Sequence, residues 1–389
     1  MPVLLPAFQV KITNIDKKGN RGASYYVKAV SQITVNQSSE KPCDTAEVSI
    51  PTITKPMTKD ENGNNLDVKI APNDEIEISF GYIGERVELE PVFTGLISWV
   101  SPDLPLVVKA EDNFRKAKHN YVLDKYGTDS APMWYSEIAD AILRKAGLEP
   151  YIPAPKKEGD WQTTGLDLRK QTVAQAMERL SQDTEWVHFF IPGGKKVYFG
   201  PQFPFQRGYL PEDEAKPPVF LYRIGAGRVE ENRKDDSLTP FFPWGNIISA
   251  SNLDYQNEKP YRRVVCSLID RRFTSKSVEK EAVLVGEECG EQDMSFTAHY
   301  EFQSSKALNE EEALRRAQER LNQLNSAQYT GSFTTFGNPK LKHSYLFRLE
   351  SAERPEINSF YEAKAVTFNY SPAGGFRMTV DVRKPPDKT

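Results

Sequence analysis

A chain of 389 residues is too long for one small core, and at 39% hydrophobic and 11% aromatic it has the material for real ones, which excludes wholesale disorder. Fifty Lys and Arg nearly cancel 54 Asp and Glu, leaving a net charge of −4 and no general electrostatic attraction to nucleic acid or an anionic membrane. Cys43, Cys266 and Cys289 are few and widely spaced, so neither a disulfide framework nor a zinc cluster is indicated, and a reducing compartment is expected. The N-terminal Met1–Phe8 run has no basic flank and is broken by Pro2 and Pro6, unlike a signal peptide, and no apolar run is long enough to span a bilayer.

In chain order, residues 1–114 read as strands. Ala46-Glu47-Val48-Ser49-Ile50 alternates at period two and stops at Pro51. Further β-rich runs lie before and after it, at 25–30, 33–35, 66–70, 75–80, 92–97 and 106–110. Their close spacing predicts a barrel or sandwich. From residue 115 the texture changes. Ser136 and Gly147 bracket an amphipathic helix carrying Ile138, Ile142, Leu143 and Ala146. Thr172 and Gln175 form a capping box for a second helix with Val173, Ala176, Met177 and Leu180 on one face. A hairpin is expected from Trp186 to Ile191 and Val197 to Phe199, about a Pro192-Gly193-Gly194 turn.

A second β-rich block follows, with runs at 247–250, 264–269, 344–349, 363–370 and 376–382. One charged helix of about residues 309–325 interrupts it; Glu312 holds the capping-box position, and Ala313, Leu314, Ala317, Leu321 and Leu324 form the apolar stripe. The expected organisation is a β-rich α+β chain: a first barrel-like domain (1–114), a small α+β domain (115–215) and a second barrel-like domain (216–389). The tail from Lys384 to Asp387 reads as loose.

Four phrases, in this order, resemble the late control D family of phage tail hubs, which includes the hub half of type VI secretion spikes. The first is Asp44 to Pro51 with Val92-Phe93-Thr94-Gly95-Leu96-Ile97, leading to an apolar strand that ends at Glu111-Asp112 and a basic stretch of Arg115, Lys116, Lys118 and His119. The second is Trp244 to Ser251. The third is the charged helix with Gly331 and then Gly337-Asn338-Pro339-Lys340-Leu341. The last is the closing hairpin with Gly374-Gly375 at its turn.

The resemblance implies a homotrimeric ring of six barrel-like units that adapts a six-fold tail tube to a three-fold spike. Its implied partners are a second and third copy, the tube protein ring, a spike on a separate chain (no needle repeat precedes Thr389), and a tape-measure end or cargo in the lumen. It implies assembly in the bacterial cytoplasm into a virion or injection-particle baseplate. The residues singled out as structural marks are Gly95, Asp112, Gly337, Pro339, Gly374 and Gly375. Gly95 interrupts a strand, as at a bulge or close backbone approach, and Gly337 precedes an Asn-Pro turn that favours positive φ.

No catalytic constellation, cofactor motif or metal set is found. His119, His188, His299 and His343 have no i+3 or i+4 partner, and no Walker loop, G-x-G-x-x-G or G-x-S-x-G is present. Gly225-Ala226-Gly227 opens no helix. The basic-aromatic stretch Arg115 to Lys125 is expected to be a solvated loop or subunit contact. The acidic run 279–293 is expected to be a solvated loop or to face a basic partner. An enzyme such as a peptidoglycan hydrolase and a receptor- or glycan-binding tail-tip protein are the rival classes.

Overall fold

The two β-rich ends of the chain meet in a single sheet. The structure, a computed structural model, describes residues 5–16, 18–51, 57–59, 65–67, 70–83, 87–102, 105–153, 155, 160, 162–184, 186–191, 196–204, 209, 220–224, 246–255, 263–270, 277–283, 297–304, 310–326, 329–351 and 353–385. The first block holds β1 (Leu5–Ile15), β2 (Arg21–Tyr26), β3 (Gln32–Ser38), β4 (Thr45–Ile50), β5 (Met57–Lys59), β6 (Asn65–Asp67), β7 (Glu75–Ile83), β8 (Val87–Val100) and β9 (Leu106–Asp112).

The middle block holds α1 (Arg115–His119), β10 (Lys125–Tyr126), β11 (Met133–Trp134), α2 (Tyr135–Lys145), β12 (Glu149–Tyr151), β13 (Gln162–Thr163), β14 (Leu166–Asp167), α3 (Val173–Thr184), β15 (Val187–Phe190) and β16 (Lys196–Gly200). The last block holds β17 (Phe220–Ile224), β18 (Ile247–Tyr255), β19 (Arg263–Asp270), β20 (Ser277–Val283), β21 (Thr297–Ser304), α4 (Glu310–Ser326), β22 (Tyr329–Phe336), β23 (Leu346–Ser351), β24 (Ser359–Ser371) and β25 (Gly375–Arg383).

The main sheet runs β18-β22-β25-β24-β3-β4-β9-β8-β7-β1-β2, with β23 pairing both β24 and β17. The seam between first and last blocks is the antiparallel pair β24–β3, from Ala365↔Ser38 to Tyr370↔Ile33. The alternation seen in the sequence is what makes this possible. Ala46, Val48 and Ile50 of β4 and Phe376, Met378, Val380 and Val382 of β25 all face one shared core. Each large apolar side chain buried there contributes about 1.5–3 kcal/mol. Phe80 stacks on Phe376 at 4.6 Å, and Phe8 meets Tyr370 at 4.8 Å, so aromatic rings from both blocks interlock. The chain is β-rich α+β as expected. Barrel closure is not detected among the described strands, and the first and last blocks join edge to edge along β24–β3.

The middle block has its own core, with Ile138, Ile142, Leu143, Val173, Met177 and Leu180 from α2 and α3 packed against Val197 and Phe199. The capping box of α3 is present: Gln175 N–H donates to Thr172 Oγ1 at 3.2 Å and Thr172 N–H donates to Gln175 Oε1 at 2.9 Å. The helix α2 starts two residues earlier than a Ser136 cap suggested. Trp134 holds the N-cap position, its N–H donates to Glu137, and the Ser136 N–H is met by the Asp160 carboxylate from a distant loop. Gly147, at φ +72°, ends it. The β15–β16 hairpin forms; its Pro192-Gly193-Gly194 turn lies outside the described residues. Helix α4 covers the β20–β19–β21 sheet through Ala313, Ala317 and Leu321, while Leu314 of the expected stripe is exposed. The side chains of Glu312 and Leu324 lie outside the described set.

Candidate functional site

The three runs of the first sequence phrase come together as a row across three strands. Strands β4, β9 and β8 are neighbours, so the separate runs beginning at Asp44, Val92 and Leu106 lie side by side. Gly95 is the register partner of Asp112. A Cβ on Gly95 would sit 2.2 Å from the Glu111 carbonyl oxygen and 2.8 Å from the Phe93 ring, so only glycine lets the two strands approach. Asp112 in turn engages Asp44. The Asp112 N–H donates to the Asp44 carbonyl at 3.1 Å, and the Asp44 N–H donates to Asp112 Oδ2 at 2.9 Å. Asp112 Oδ1 accepts the Phe114 N–H at 2.8 Å at the entry to α1, and Asp44 Oδ1 accepts the Ser38 N–H at 3.0 Å. Burial pushes the Asp112 carboxyl up to about 6 and holds that of Asp44 well above the carboxylate range, with Asp112 adding to the latter effect.

The remaining marks gather elsewhere, around Phe376. Gly337 N–H donates to the Phe376 carbonyl at 3.1 Å, and Tyr82 Oη donates to the Gly337 carbonyl at 2.9 Å. Gly337 does not take a positive φ; its need for glycine is steric, since a Cβ would fall 2.3 Å from the Phe376 ring. Pro339 is buried in the turn closed by Leu341 N–H on the Asn338 carbonyl at 3.2 Å. Gly375 takes φ +69° in the closing hairpin, and Gly374 N–H is met by Ser371 Oγ at 2.9 Å. The six marks thus form two structural groups.

Chemistry-bearing side chains do not converge. His119 and His299 are exposed on different elements. His188 is buried with Nδ1 2.7 Å from Ser181 Oγ, and His343 is buried edge-on to Phe189. Burial pushes them down to about 4 and about 3, so both are neutral at pH 7. No group of three or more metal-ligating side chains occurs among the described residues. A cavity of about 220 Å³, lined by Ile224, Leu253, Leu349, Ile357, Tyr361 and Arg354 among others, contains no histidine or cysteine.

The basic stretch is a loop only in part, at Asn120 and from Val122 to Asp124. Arg115 to His119 are helical, Ala117 is buried, and Arg115 Nη1 donates to the Ile97 carbonyl of β8 at 2.8 Å. Lys118 pairs with Glu111 at 3.0 Å. Of the acidic run, Glu279 and Glu281 lie on β20, and Glu287, Glu288, Glu291 and Asp293 lie outside the described residues, as do Gly225-Ala226-Gly227 and Trp244. Sequence reasoning missed Glu362, fully buried on β24 and paired with Arg383, whose guanidinium lies 4.6 Å from the Phe203 ring. Its neighbours Tyr361 and Ala363 face the main core, so alternation alone reads Glu362 as outward and the sequence carried no signal of its burial.

No family model matches the sequence, and no curated protein matches it. Solved structures do. The tail protein from Neisseria meningitidis is 11% identical, with 97% of this chain and 96% of that one covered at a TM-score of 0.61. The 43 kDa tail protein of prophage MuSo2 from Shewanella oneidensis is 10% identical, with 97% and 98% covered at 0.59. An Escherichia coli component of the type VI secretion system is 8% identical, with 97% and 77% covered at 0.50. The resemblance drawn from the four phrases therefore holds at the level of the fold: this chain shares, over nearly its whole length, the architecture of the Neisseria and Shewanella tail proteins.

Proposed function

We propose that the protein is a non-enzymatic structural hub of a tail or injection-particle baseplate, acting as a homotrimeric ring between a tube and a separate spike. The observation that carries this reading is the two-way coverage: 97% of this chain against 96% of the Neisseria tail protein. A likeness of that extent concerns the whole architecture and not one widespread β module. In this reading, residues 1–114 and 216–389 supply the ring-forming units and residues 115–215 a small appended domain. Among the described strands the main path of the sheet ends at β2 and β18 and its branch ends at β17, and the edges β2 and β18 pair with neighbouring copies. The tube ring and spike dock on opposite faces, and a tape-measure end or cargo occupies the lumen. Assembly takes place in the reducing bacterial cytoplasm, in keeping with the buried thiols of Cys43 and Cys266. No described helix is long and apolar enough to cross a membrane.

Light scattering tests the central point. Three chains of 44.1 kDa give about 132 kDa, alone or with the spike present. A monomer at every concentration, with and without the spike, would remove the hub reading.

A further inference from the structure

The two hydrophobic cores touch at the Asp44–Asp112 pair. Cys43, just before Asp44, and Phe114, just after Asp112, belong to the core of the middle block, while Ala46, Val48, Val108 and Ala110 belong to that of the main sheet. Both acids are buried, at 8% and 3% exposure. Two adjacent carboxylates removed from water cannot both stay ionised without a strong cation, because desolvation and mutual repulsion act together. The titratable groups facing them are Cys43 on the approach to β4, Glu111 on β9 and Lys118 on α1; β3 contributes the Ser38 N–H and β8 only the backbone at Gly95. Lys118 is already bonded to Glu111.

We propose that Asp44 and Asp112 hold one proton between them at neutral pH, carried on the Asp44 carboxyl, and so form a proton-dependent clasp between the main sheet and the helical block. The hydrogen bonds assign the proton. Asp112 receives backbone N–H groups on both oxygens, from Phe114 and Asp44, which favours its ionised form. Asp44 receives one backbone N–H, from Ser38 on Oδ1, and its other oxygen is the place for the proton. The raised carboxyl of each partner agrees with this arrangement. For such a group the sign is fixed: its stabilising contribution is full below the unfolded value near 3.8 and is lost as pH rises through the folded one. Deprotonation of Asp44 as pH rises above neutral therefore loosens the turn at Ser38–Asp44 together with the entry to α1.

The test compares wild type with Asp44→Asn and Asp112→Asn. The Asp44→Asn side chain keeps an oxygen for the Ser38 N–H and places an NH₂ where the proton is assigned, so this variant mimics the protonated clasp. The Asp112→Asn change instead sets an NH₂ against a backbone N–H. Infrared difference spectra at neutral pH should show a protonated-carboxyl band lost in Asp44→Asn. Hydrogen-exchange protection of segments 38–44 and 112–119 should fall in wild type as pH is raised above neutral and stay level in Asp44→Asn. Asp112→Asn should lose protection there throughout. An unchanged carboxyl band in Asp44→Asn, or a pH dependence of protection identical to wild type, overturns the proposal. So does equal behaviour of the two variants, which removes the assignment to Asp44. None of these outcomes depends on the hub reading.

Discussion

The Phe376 ring occupies the space beside Gly337 so completely that a Cβ there would lie 2.3 Å from Cδ1. Phe376 is itself held by Phe80 and Phe368, so it has little room to yield. Gly337→Val is expected to destabilise the fold by about 1–3 kcal/mol, through overpacking and not through backbone conformation. Gly95→Val should cost at least as much, because its clash is with the Glu111 backbone. Thermal melts check both; wild-type melting temperatures would refute the steric account.

Arg383 is the partner of fully buried Glu362 and also stacks on Phe203 of the middle block. Removing it strands a buried carboxyl. Arg383→Ala should cost about 3–5 kcal/mol, and Glu362→Gln in the Ala background should restore part of the loss, since the stranded charge is then gone. Denaturant unfolding of the two variants decides this; no recovery in the double variant would count against the charge argument.

His343 gives an opposite pH dependence from the acid pair. Its folded value, pushed down by burial to about 3, lies below the unfolded 6.5. The unfolded chain binds the proton more readily between those values, so stability is full above pH 6.5 and is lost as pH falls toward 3. At pH 5 the loss is on the order of 2 kcal/mol relative to pH 7. His343→Gln should flatten that part of the profile. An unaltered acid limb in urea unfolding would show that His343 is not its source.

The capping box of α3 offers a milder test. Thr172→Ala removes the acceptor for the Gln175 N–H and should lower stability by about 1 kcal/mol. Gln175→Ala should cost less, since it removes the return bond alone. Equal melting temperatures in all three proteins would mean that water satisfies these N–H groups as well.

If the protein acts as a hub, alanine at His119, His188, His299 and His343 in turn should leave particles that assemble and puncture, apart from folding losses at the two buried positions. Deleting Ala363–Val382 removes most of β24 and β25, and with them the seam to β3, and should abolish tube and spike recruitment. Complementing a hub-null particle and counting assembled tails by electron microscopy checks both. Normal tails that fail to puncture after one histidine change would reveal a chemical role.

Local chemistry was legible in the sequence. Alternation in β4, β9 and β25, the Thr172–Gln175 box, the Gly147 stop and the Ser371–Gly375 hairpin each depend on residues only a few positions apart, so their pattern survives in one dimension. The partner of each strand was not legible. Thr367 and Asn36 bond across the seam although 331 residues separate them, and nothing near either residue distinguishes a sheet that closes on itself from one that joins another. Buried polar pairings were hidden for the same reason. Asp112 reads as a strand-ending acid, and only the approach of β4 through Asp44, with Gly95 permitting β8 to close on the other side, excludes the water that would otherwise solvate it. Alternation decided which faces are apolar; long-range strand pairing decided which charges lie beneath them, because desolvation depends on neighbours that only the folded chain brings together.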